Sequence, residues 1–102
     1  MITEEQIIQK LKEIMDPDIP CNIWDLGLIY SIGLNAEKNE LKIIMTLTSQ
    51  ESQKERDLPT QVTSRIHAAF PEIGFTLEMT FDPTWTPERL TDAGKRRLGI
   101  DD

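Results

Sequence analysis

The apolar residues of this chain switch repeatedly between a helical period and a strand period, and this alternation restricts its fold more than any single residue does. Ile7, Ile8, Leu11, Ile14 and Met15 recur at helical spacing. Leu28, Tyr30, Ile32 and Leu34, and then Leu41, Ile43, Met45 and Leu47, fall at every second position. Leu58, Val62, Ile66 and Ala69 return to helical spacing, and Phe75, Leu77, Met79 and Phe81 alternate with Thr76, Glu78 and Thr80. A last short helix is predicted from Asp92 to Leu98, with Gly99 as its C-terminal cap.

The boundaries carry their own chemistry. Thr3-Glu-Glu-Gln6 is a capping box that opens the first helix, an element of about three turns ended by Asp16-Pro17. Pro17 to Gly27 reads as a loop, and Asn35 to Asn39 as the polar turn of an antiparallel hairpin. The second helix has two candidate starts. Ser52-Gln-Lys-Glu55 is another capping box, whereas Pro59 favours a start near Asp57 or Leu58. Phe70-Pro71 ends that helix, and Asp82-Pro-Thr-Trp85 breaks the third strand. Thr86-Pro87 supplies an N-cap with proline at the first helical position.

The order α-β-β-α-β-α in 102 residues predicts one α+β (α/β) domain spanning 1–102. A single sheet of three or more strands should carry its helices on one face.

Composition excludes several function classes. No apolar run is long enough for a membrane span or a signal peptide, and the acidic start MITEEQII points to a cytoplasmic protein. The net charge of −7 would repel nucleic acid, and the chain has no GxxG loop. Lys95-Arg96-Arg97, followed by Asp101 and Asp102, reads as favourable charge at a helix C-terminus. The single cysteine, Cys21, rules out an intramolecular disulfide and fits a reducing compartment. With only one histidine, His67, a four-ligand Cys/His zinc site within the chain is also excluded.

No nucleophile and base pair stands out. Thr46, Thr48, Ser49 and Ser52 lack an activating base in the sequence, and His67 reads as structural. No residue is therefore assigned as catalytic, and an enzyme is not expected. Three places remain distinctive. The loop DPDIPCNIWD concentrates acids, a thiol and Trp24, with Asp16, Asn22 and Asp25 suited to turning the backbone. TLTSQES ends with Ser52 at a helix start, and Trp85 is either core packing or an interaction anchor.

Taken together, these segments resemble the PaaD/SufT-like iron–sulfur cluster assembly family. DPDIPCNIWDLGLIYSI is similar to its DPEIP-x-NI-x-DLGLIY signature, TLT follows at the expected place, and FDPTWTPERLTDAGKRRLGI is similar to its PPWTPERMS…LGI segment. The matching positions include Asp16, Pro17, Pro20, Asp25, Leu26, Gly27, Thr46, Thr48, Trp85, Pro87 and Arg89. The resemblance implies a two-layer domain with a small mixed sheet of three or four strands. It also implies work in iron–sulfur cluster maturation or delivery through protein partners.

The departures bear on chemistry. The family reads TLTxxGCP with a reactive cysteine, whereas this chain has Glu51, Ser52 and Gln53 in place of Gly, Cys and Pro. Thr84 replaces a proline of PPW, and Cys21 lies where an apolar residue is usual. A serine hydroxyl caps a helix but is a poor ligand for soft iron. The resemblance therefore implies an accessory factor that binds assembly proteins or client apoproteins, with no firmly bound cofactor and at most transient contact with iron or a cluster. One alternative is an iron or cluster carrier using Cys21 across a homodimer, completed by Asp16, Asp18 or Asp25. Another is an accessory subunit of a multicomponent oxygenase or other metabolic enzyme. Cys21 as a small buried hydrophobe is the simpler reading.

Overall fold

The computed structural model describes residues 1–100, so Asp101 and Asp102 lie outside the described residues. Helix α1 spans Glu4–Leu11 and opens on the expected capping box. Thr3 Oγ1 accepts from the Gln6 amide at 3.2 Å, and Gln6 Oε1 accepts from the Thr3 amide at 3.0 Å. The helix stops at Leu11, before the predicted end at Asp16-Pro17. The backbone beyond it is used elsewhere: Met15 forms an isolated bridge with Asn22, and Ile14 O accepts from the Ile23 amide at 2.9 Å. Ile14 still reaches the core, whereas Met15 is exposed.

Strands β1 (Ile29–Asn35) and β2 (Glu40–Met45) form the expected antiparallel hairpin. Strand β3 (Gly74–Met79) lies parallel to β2, giving a mixed three-stranded sheet in the order β1-β2-β3. A parallel neighbour requires a crossover. Here the crossover carries two helices, α2 (Gln53–Arg56) and α3 (Leu58–Ala69). Both start signals in the sequence are thus real. Ser52 caps α2, the chain turns at Asp57, and Pro59 falls in the first turn of α3, where no hydrogen bond is lost.

The register divides the sheet into two faces. The rows Leu34–Leu41–Phe75 and Ile32–Ile43–Leu77 lie on one face, with Ile29, Met45 and Met79 continuing it. Ile7 and Leu11 of α1 join Leu58, Val62 and Ile66 of α3 in the core built with these rows. The opposite face carries Lys42 and Glu78, paired across the sheet at 3.4 Å, and the half-buried Ile44. Helices α1 and α3 therefore cover one face, as the pattern predicts.

Two further details differ from the sequence reading. The β1–β2 register shifts between Ile29 and Ser31, so Ile29 rather than Tyr30 opposes Met45. Simple alternation from Leu28 through Tyr30 misses such a bulge. Thr86-Pro87 opens only a 3-10 turn, Pro87–Arg89, and Thr86 makes no side-chain capping bond. The last helix, α4 (Asp92–Leu98), ends at Gly99 with φ 74°, as expected. It packs on the turn around Asp25 rather than on the sheet: Gly94 sits so close that an added Cβ would lie 2.6 Å from Asp25 O.

Candidate functional site

The loop after α1 is built by its own side chains. Asp16 Oδ2 accepts from the amides of Asp18 and Ile19, each at 2.9 Å, and the Asp16 amide donates to Cys21 O at 3.0 Å. Asn22 Oδ1 accepts from the Asp25 amide at 2.8 Å, while its Nδ2 donates to Asp25 Oδ2 at 2.8 Å. Asp16, Asn22 and Asp25 thus turn the backbone, as Asx residues do. Pro17 is half-buried and Pro20 exposed; Pro20 O accepts from Arg97 Nε at 3.3 Å.

Against this loop stands the lip formed by the end of β2 and the start of α2. Ser52 Oγ donates to Asp18 Oδ2 at 2.6 Å and accepts from the Glu55 amide at 3.3 Å. The second half of the expected capping box is missing. Glu55 Oε1 accepts instead from the Thr48 amide at 3.1 Å. Its side chain is fully buried, and its other oxygen, Oε2, has no hydrogen-bond partner. Asp16, 6% exposed, likewise leaves Oδ1 without one. Burial and the neighbouring Asp16 carboxyl push the Glu55 acid up to about 7, against the opposing pull of Thr48. Thr46 is also buried with an unpartnered hydroxyl, its amide donating to Leu28 O at 2.9 Å.

The remaining motif positions form a strap over the Asp25 turn. Trp85 Nε1 donates to Leu26 O at 2.6 Å, which assigns this indole to packing rather than to a free anchor. Thr91 Oγ1 donates to Asp25 Oδ1 at 2.8 Å, and the Thr91 amide to Asp25 O at 2.9 Å. Gly27, at φ 79°, lies directly beneath Arg89, where a Cβ would collide with the Arg89 backbone. The Arg89 guanidinium stacks 3.8 Å from the Tyr30 ring centroid, and Tyr30 Oη donates to Pro83 O at 2.8 Å. Pro87 is exposed at the start of the 3-10 turn. Trp24 is half-buried against the core, and Phe81 is exposed.

Cys21 is 1% exposed and belongs to the core. Burial and the nearby Asp25 charge push its thiol up, away from the thiolate form that binds metal or reacts. This is the environment that a small buried hydrophobe would occupy. Among the described residues, no three His, Cys, Asp or Glu side chains converge on a point that could hold a metal ion. Asp16, Asp18 and Asp25 are therefore not gathered into a ligand set. The lip offers hydroxyl and carboxylate oxygens, which do not fit the soft iron of a cluster.

The family model described as "Iron-sulfur cluster assembly protein" matches residues 4–79. The chain belongs to this family. It is 30% identical over 98 residues to an Fe-S protein maturation auxiliary factor of Porphyromonas gingivalis, covering 96% of this chain and 92% of that one. It is also 30% identical to the Fe-S protein maturation auxiliary factor YitW of Bacillus subtilis, covering 95% and 94%. Among solved structures, a domain of unknown function from Bacillus anthracis superposes with a TM-score of 0.84 at 27% identity, over 96% of this chain and 92% of that one. A conserved hypothetical protein from Thermotoga maritima gives 0.79 at 27% identity, over 97% and 96%. The family match stops at Met79, so it contains the loop and the lip but not the strap.

The sequence reading missed Glu55 as more than a cap partner, and it missed the Asp18–Ser52 contact. A signal for Glu55 was present. It lies three residues before Leu58 and continues the stripe Leu58, Val62, Ile66, so the helical period itself places an acid on the buried side. Nothing in the sequence pairs Asp18 with Ser52, because 34 positions separate them.

Proposed function

We propose that this protein is an auxiliary factor in iron–sulfur cluster maturation that works through contacts with assembly proteins or client apoproteins. The observation that supports this reading best is the lip itself. The family's scaffold is retained around it, yet Ser52 uses its hydroxyl on Asp18 and on the α2 backbone, and among the described residues no three His, Cys, Asp or Glu side chains gather to hold a metal ion. In this reading, iron or a cluster is cargo met transiently, with its thiolate ligands supplied by the partner. A carrier role for Cys21 would require the thiol to leave the core.

Anaerobic incubation with iron and sulfide tests the ligand question. Wild-type protein should stay colourless, and Ser52→Cys should gain visible absorption. Absorption in the wild type that disappears in Cys21→Ser would establish the carrier reading instead. Affinity capture from the native cell tests the partners: cluster-assembly proteins or iron–sulfur clients are expected. Recovery of oxygenase subunits alone would replace this proposal with the accessory-subunit reading.

A further inference from the structure

Beneath the Asp18–Ser52 contact lie two buried acids whose hydrogen bonding is complete on one side only. Asp16 spends Oδ2 on the Asp18 and Ile19 amides, and Glu55 spends Oε1 on the Thr48 amide. The remaining oxygens, Asp16 Oδ1 and Glu55 Oε2, are both buried and both lack a donor. Two ionised carboxylates in such a place would repel one another without water to screen them. One proton between them satisfies both oxygens.

We propose that Asp16 and Glu55 share a single proton, and that this proton latches the Asp16–Pro20 loop to the start of α2, holding Asp18 over Ser52. With Glu55 protonated, Oε2–H donates to Asp16 Oδ1, and the loop is tied to the lip at two depths. When the proton passes to water, two adjacent anions are left. Their repulsion drives the loop from α2 and breaks the Ser52 O–H to Asp18 bond. The upward shift of Glu55 to about 7 agrees with this arrangement and places the change near neutral pH.

Asp18, Arg56, Asp57 and Arg97, charged side chains of the loop, of α2 and its end, and of α4, each have partners of their own. Asp18 accepts from Ser52, while Arg56 Nη2 donates to Gln53 Oε1 at 2.9 Å. Asp57 Oδ1 accepts from Gln53 Nε2 at 3.1 Å. Arg97 reaches the loop from α4 but bonds Pro20 O, and on the β2 side the groups are the uncharged Thr46 and Thr48. Asp16 is the charged neighbour that pushes Glu55 up, and the buried Cys21 thiol, itself pushed up, also senses the Asp16 charge.

The test is a carboxyl-carbon and amide NMR titration of the full chain. In the wild type, the Glu55 carboxyl should titrate about two pH units above an ordinary glutamate. The amides of Asp18, Ile19 and Thr48 should shift with the same midpoint. Glu55→Gln, which keeps a donor toward Asp16 but cannot ionise, should hold those three amides at their low-pH positions throughout. Asp16→Asn should move the Glu55 midpoint downward. An ordinary Glu55 midpoint, or amides that ignore the Glu55 titration, would overturn the latch. The wild-type titration decides the matter even where a variant fails to fold.

Discussion

The two ends of the Asp16–Leu28 segment are held in opposite ways. At the Asp25 end, Asn22, Trp85 and Thr91 meet the turn with complementary donors and acceptors, and Gly27 and Gly94 allow backbone to approach backbone. At the Asp16 end, a carboxyl faces another carboxyl, and each has one buried oxygen without a partner. The first end is a satisfied network that fixes one geometry. The second holds together only while a proton is present. Motif residues within one loop can thus serve packing at one end and a conditional contact at the other.

Four substitutions separate the two ends, in order of expected effect. Gly27→Ala attacks the satisfied end, because it combines a left-handed φ with a collision against the Arg89 backbone. It should lower the unfolding free energy in urea by about 4 kcal/mol. A loss within about 0.5 kcal/mol would show that the strap is not tightly seated.

Glu55→Gln attacks the conditional end through pH. The folded Glu55 acid sits at about 7 against an ordinary value of 4.5. Its contribution to stability is therefore complete below about pH 4.5 and is lost as pH rises through about 7. Glutamine carries no such dependence. The stability of Glu55→Gln relative to wild type should rise across that window by on the order of 3 kcal/mol. Denaturant midpoints measured at several pH values would show this trend, and parallel curves would contradict it.

Trp85→Phe keeps the ring but removes the donor to Leu26 O. It should cost about 2 kcal/mol at every pH, since a buried carbonyl is left unpaired. Ser52→Ala removes both the α2 cap and the Asp18 contact. A loss of about 1 kcal/mol is expected. This loss should shrink above neutral pH if the latch has already released Asp18. A pH-independent loss would divide Ser52 from the carboxyl pair and blunt the contrast between the two ends.

Much of this molecule was legible before its structure. The capping box at Thr3, the hairpin, the strand from Phe75 and the helix from Asp92 all follow from local period and local caps. The family resemblance rested on whole motifs, and the family match covers residues 4–79. Even the conflicting start signals at Ser52 and Pro59 were each correct for a separate helix. Features that depend on pairing outside the local period were not legible. The end of α1 was misplaced because Ile14 and Met15 pair with Ile23 and Asn22, and the bulge at Ile29 is a property of two strands together.

The sequence by itself determined the element order, the apolar stripes and the absence of a thiol at position 52, because these depend on residue identity and near neighbours. Only the tertiary structure decided what the serine does there, that Cys21 is core, and that Asp16 and Glu55 face one another. The physical reason is the same in each case. Burial and hydrogen-bond pairing are set by segments 30 or more positions apart, as in the 34 between Asp18 and Ser52, and no local period encodes which of them will meet.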